Sequence, residues 1–161
     1  MRANGSETRF KRTWFGLNAR VTIGPGLLHK TGLHGVAIPH PPVANSLLRM
    51  GLSAQLNRNL SFAHEFAHFQ TAPVLFIYML VVFVVAYVKT IAGMGEIIFL
   101  LLSIQATWEL MSEGLVVLEN PAAYRKSYNG ITRLPRILFW AVGGILTLRP
   151  PAGWACYKGN S

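Results

Sequence analysis

Seventeen consecutive residues, Ala72 to Val88 (APVLFIYMLVVFVVAYV), carry no charge. Extended through Lys89 to Ile91, the run has the length a helix needs to cross a hydrocarbon core of ~30 Å. A strand equally rich in β-branched residues would outrun the usual strand length. The reading is a transmembrane helix over 72–91, and it sets the class of the whole chain. At 161 residues the chain has room for one domain, so that domain, 1–161, is a membrane domain and mainly α. Composition agrees. Hydrophobic residues make up 52% and charged residues 13%, about half the usual soluble share. Net charge is +9, with six Glu and no Asp. No basic run is interleaved with aromatics, so the excess charge reads as cations on one side of a membrane and not as a nucleic-acid surface. A lone cysteine, Cys156, excludes an internal disulfide and a cysteine-based zinc finger.

Gly93-Met94-Gly95 reads as a tight connection into a second helix over 96–118. That helix is apolar from Ile97 to Trp108 and then carries Glu109 and Glu113. The two transmembrane helices form a hairpin. A third stretch, 134–148 (LPRILFWAVGGILTL), is free of charge only from Ile137 to Leu148. That is short for a span, so an interfacial helix fits it as well. Residues 1–42 form a Gly- and Pro-rich surface segment, in which ARVTI and GVAIP predict one or two short strands. Its basic start lacks a following apolar core, so no cleavable signal is expected. Helix breakers nearly vanish over 43–70, which predicts a helix with its weak point at Gly51. This helix and the one over 72–91 should form a nearly continuous unit bent at Thr71–Pro73. Eight Lys and Arg precede the first span and six follow the second, while Lys89 alone lies near the turn. The positive-inside rule then puts both termini and the polar helix ends in the cytoplasm.

His64-Glu65-Phe66-Ala67-His68 is an HExxH sequence. On a helix, positions i and i+4 share a face, so His64 and His68 can hold one metal ion with Glu65 beside it. Zinc suits neutral imidazoles, and an open position on it holds a water of lowered pKa. Glu65 would take the proton of that water and pass it to a leaving amine. This is the logic of zinc peptidases. The hairpin returns Glu109 and Glu113, at i and i+4, towards the level of the histidines. Carboxylates near a span usually face a partner, and a metal is one. Glu65-Phe-Ala-His68 is also an ExxH, the spacing of di-iron bundles, but those sites need two such motifs.

HEFAH followed by Glu109-Leu-Met-Ser-Glu113 resembles the gluzincin pattern, HExxH with a downstream ExxxD. It is similar in particular to membrane-embedded gluzincins, which include CAAX-prenyl endopeptidases and bacterial heat-shock membrane proteases. The resemblance implies one zinc ion on His64, His68 and Glu109, Glu65 as the base, and Glu113 as the supporting acid. Glu113 departs from the pattern by replacing Asp. Glu109 is expected closer to the histidine pair than Glu113.

The remaining histidines, His29, His34 and His40, read as exposed loop residues. Trp14, Trp108, Trp140 and Trp154 read as interfacial anchors. Tyr124 to Tyr128 reads as a basic patch on anionic lipid, and Gly143-Gly144 as a point of helix contact. Two functions follow. One is a zinc-dependent membrane metallopeptidase cutting peptides or membrane proteins at the cytoplasmic face. The other is a non-catalytic accessory subunit of a larger membrane complex, carrying a relic or structural metal motif. Lipid is a partner in both, and other subunits in the second.

Overall fold

A computed structural model describes residues 5–24, 29–33, 38–40, 47–88, 94–127 and 130–158, with 149–158 as backbone alone. Four short strands open the chain: β1 (Glu7–Arg12), β2 (Asn18–Ile23), β3 (His29–Leu33) and β4 (Ile38–His40). Among the described residues four longer helices follow: α1 (Ala54–Val88), α2 (Met94–Glu119), α3 (Pro121–Lys126) and α4 (Gly130–Lys158). The strands form an antiparallel sheet in the order β1-β2-β3-β4. The Gly- and Pro-rich segment thus carries four strands, where one or two were expected.

Side chains alternate faces along a strand, and β2 uses this to bury Ala19, Val21 and Ile23 on one side. They pack against Phe62 and Phe66 of α1, with Leu33 and Phe69 at the edge. A second core lies on the opposite face of α1, where Leu60 and Ala67 meet Val116 of α2 and Tyr124 of α3. The HExxH turn is therefore clamped between a sheet and a helical layer.

Gly51 has φ +72°, a left-handed conformation that suits glycine. Leu47 and Leu48 are helical, the chain turns through Arg49 to Gly51, and α1 starts at Ala54, so the expected weak point at Gly51 is a break; residues 43–46 lie outside those described. From Ala54 the helix runs unbroken to Val88 with Pro73 inside it, so the two expected helices are one. Met94 and Gly95 already belong to α2, and the rest of the expected tight turn, residues 89–93, lies outside those described.

Among the described residues three helices, not two, are long and apolar enough to cross a membrane: Ala54–Tyr87, Met94–Glu119 and Ile131–Leu148. The third escapes a count of uncharged residues because of Arg133 and Arg136. Arg136 is fully buried. It donates to the Leu48 carbonyl and to Ser127 Oγ, and stacks 4.3 Å over the Tyr124 ring. A cation housed inside the protein does not face lipid, so it does not shorten the apolar face of the helix. Tyr124 likewise belongs to the core and not to a headgroup patch.

α1 and α2 run antiparallel, and α4 runs antiparallel to α2. A Cβ on Gly143 would stand 2.9 Å from Leu110 Cγ, so this glycine sets the close approach of α4 to α2. In α1 every exposed large apolar side chain lies from Val74 onward, and in α2 all but Leu118 lie between Met94 and Leu102. That half of the hairpin has the surface of a lipid-facing element. The other half, above Thr71 and Ser103, carries the buried polar groups His64, Glu65, Thr107, Ser112 and Glu113.

Candidate metal centre

Consecutive residues on a helix point about 100° apart. His64 therefore faces α2 while Glu65 turns towards the sheet, and His68, one turn on, returns to the side of His64. Opposite them α2 presents Glu109 and Glu113 on one face. From His68 to the end of α1 at Val88 is 20 residues, and from Met94 to Glu109 is 15. At about 1.5 Å per residue the difference is roughly 8 Å, yet both glutamates stand at the level of His64.

Both glutamates reach His64, on opposite ring nitrogens. Glu109 Oε2 lies 3.0 Å from Nε2, and Glu113 Oε2 lies 2.9 Å from Nδ1. His68 Nε2 lies 3.2 Å from His64 Nε2 and 3.7 Å from Glu109 Oε1. Glu109 thus stands between the two histidines, and Glu113 touches only the outer nitrogen of His64. The structure brings together the four residues expected to carry the metal chemistry on these helices.

The partners behind them matter as much. Glu113 is fully buried and receives both terminal nitrogens of Arg49, each at 2.8 Å. A forked guanidinium pair holds a carboxylate ionised. Ionised Glu113 can only accept, so Nδ1–H of His64 donates to it and the lone pair of neutral His64 is on Nε2. Ser112 Oγ lies 2.9 Å from Nδ1 of His68 and can hold that ring in the same tautomer. Trp108 donates its indole N–H to the His68 carbonyl at 3.1 Å, and its ring meets the His68 ring edge-on at 4.7 Å. Trp108 is thus part of the site and not a free interfacial anchor.

Two imidazole nitrogens and a carboxylate oxygen therefore converge, with the far side of each ring engaged elsewhere. His64, His68 and Glu109 form a group that could hold a metal ion. Ligands at ~2.0–2.1 Å around a tetrahedral ion lie about 3.3 Å from one another, close to the 3.2 Å between the two Nε2 atoms and the 3.0 Å from His64 Nε2 to Glu109 Oε2, while the other oxygen of Glu109 lies 3.7 Å from His68 Nε2. One proton can serve only one of the three pairs, whereas a cation at their centre serves all three. The donor set, two nitrogens and one oxygen, fits zinc.

Glu65 lies on the other flank. His29 Nδ1 is 3.3 Å from its Oε1, and His40 Nε2 is 2.8 Å from its Oε2. These histidines are not idle loop residues: they are direct cross-strand partners in the β3–β4 register. His29 is buried, while His40 is half-buried and is held above the ordinary imidazole pKa by its hydrogen bond to the Glu65 carboxylate. His34 lies outside the described residues. Glu65, His68, Glu109 and His40 open onto a common cavity of ≈ 920 Å³ whose walls include Leu33, Ile38, Leu47, Phe69, Trp108 and Phe139.

Sequence reasoning missed Arg49, Ser112, His29 and His40. Only the pairing of His29 with His40 left a trace, in the alternation of a hairpin whose register had no visible anchor. Compared with models of known protein families, with curated proteins and with solved structures, the chain matches none.

Proposed function

We propose that this chain is a zinc-dependent membrane metallopeptidase. One observation carries the reading: the Nε2 atoms of His64 and His68 and the carboxylate of Glu109 converge with ligand-like separations, while Glu113 and Ser112 engage the outer nitrogens. A zinc ion bound there supplies Lewis acidity and lowers the pKa of a water in its open position towards ~7. The chain's own groups do the rest. Glu65 takes a proton from the attacking water and delivers it to the departing amine. Glu113, neutralised by Arg49, keeps the lone pair of His64 on Nε2. The apolar cavity walls receive the flanking parts of a peptide and exclude water from the reacting bond.

Twelve of the fifteen Lys and Arg fall in the sequence up to Arg58 or in 125–136; only Lys89, Arg149 and Lys158 fall elsewhere. The positive-inside rule then assigns the sheet and the metal centre to the cytoplasmic side. If α4 crosses fully, the C-terminus lies on the far side.

The test is the full chain purified in detergent. The expected result is one zinc per chain, lost in His64→Ala, and hydrolysis of an apolar quenched-fluorescent peptide that Glu65→Gln abolishes without loss of zinc. A chain that takes up no metal sinks the reading. A chain that holds zinc but cuts nothing is the accessory subunit instead.

A further inference from the structure

The N-terminal sheet does more than cover α1. We propose that His29 and His40 form a clamp on Glu65, one imidazole on each carboxylate oxygen, and that both are positioning residues for its work as a base. This rests on the peptidase reading above.

The register of the sheet is the first ground. His29 and His40 are directly opposed on β3 and β4, so their side chains leave the same face of the sheet as neighbours. Their rings stand 6.0 Å apart, nearly perpendicular, and each meets a different oxygen of one carboxylate. Burial is the second ground. Glu65 is almost wholly buried, and a buried carboxylate without donors is costly. One N–H donor on each oxygen meets that need. The third ground is the contrast with the neighbouring group. The Nε2 atoms of His64 and His68 face each other at 3.2 Å, an arrangement in which a cation can replace a shared proton. His29 and His40 each meet a separate oxygen of an acceptor-only carboxylate, so each can donate an N–H to it, although the same three residues also form a group that could hold a cation. The clamp fixes the torsion of Glu65 at the wall of the cavity that His68 and Glu109 also line. The small sheet is thus the second half of the active site.

The experiment loads the full chain in detergent with Co²⁺ and titrates acetohydroxamate, whose oxygens bind the ion while its N–O–H group meets the neighbouring carboxylate. Four variants are compared with the parent: His40→Ala, His29→Ala, His40→Gln and His29→Asn. The amides replace Nε2–H and Nδ1–H, respectively, with a donor at similar reach. The expected result is one Co²⁺ per chain in all five proteins. Acetohydroxamate should bind about 10- to 100-fold more weakly to the alanine variants, the range for partners behind a metal centre, and recover most of the loss in the amide variants. Peptide turnover, where present, should fall in kcat with KM unchanged. Unaltered acetohydroxamate affinity in folded His40→Ala overturns the clamp. So does a parent that binds two Co²⁺ and falls to one in His40→Ala, which would make His29, His40 and Glu65 a second cation site. Should buried His29→Ala fail to fold, the His40 pair decides, since His40 sits on the edge strand. A parent that takes up no Co²⁺ sinks the peptidase reading itself, an outcome distinct from a loaded protein with unaltered variants.

Discussion

The α2-facing and sheet-facing sides of the HExxH turn each carry two histidines and a carboxylate that could hold a cation, His64, His68 and Glu109 on one and His29, His40 and Glu65 on the other, yet differ in where the imidazole nitrogens point. Towards α2, the rings of His64 and His68 turn their far nitrogens to Glu113 and Ser112 and their near nitrogens to each other. Towards the sheet, His29 and His40 each spend a nitrogen on a separate oxygen of Glu65. Both groups could hold a cation, but the first brings its two imidazole nitrogens together while the second spreads them over two oxygens of one carboxylate. What separates the two is the disposal of the other nitrogen of each imidazole, which on the α2 side is set by Arg49, Glu113 and Ser112.

This difference can be broken most completely at the ligands. His68→Ala is expected to abolish stoichiometric zinc uptake, read by elemental analysis, whereas His40→Ala leaves it at one per chain. Next is Arg49→Ala, which strands buried Glu113 without its cation. It should cost about 3–5 kcal/mol of stability, read by thermal unfolding in detergent. Glu113→Gln should weaken zinc by about 10- to 100-fold, read by competition with a chelator, because an amide can pair His64 in the wrong tautomer. Gly143→Leu drives a side chain into Leu110 and should destabilise by about 1–3 kcal/mol while zinc stoichiometry in the folded fraction is unchanged. The smallest effect is a pH dependence on the sheet side. His40 holds its proton to higher pH when folded. Its pairing with Glu65 therefore stabilises fully below the unfolded pKa of ~6.5, and that stability is lost as pH rises through the raised folded value. In the metal-free protein, His40→Ala should flatten this part of the stability–pH curve.

The α2 side was legible in the sequence and the sheet side was not. HExxH and ExxxE both place their residues by helical period, a local rule that reads straight off the chain. A hairpin of two such helices can bring them together in few ways. His29 and His40 meet Glu65 through a strand register, which depends on turn geometry within a Gly- and Pro-rich stretch and shifts every side chain if it slips by one. Arg49 pairs with an acid 64 residues away, and no local pattern announces that. The third span was obscured for a related reason: Arg136 looks like an interruption in a linear count and becomes an internal strut once Leu48, Ser127 and Tyr124 surround it.

The contact between Trp108 and His68 also gives the centre an optical readout. An excited indole readily gives up electron density to a cation at close range, so its emission is sensitive to charge on an adjacent imidazole. With the rings 4.7 Å apart, a proton or a divalent ion arriving at His68 should dim or shift the emission of Trp108. Trp14, by contrast, is anchored to the Gln70 carbonyl at the surface and should respond little. The intrinsic fluorescence of the unlabelled protein would then follow occupancy of the site in real time, and Trp108→Phe should silence the signal while leaving the three ligand residues themselves in place.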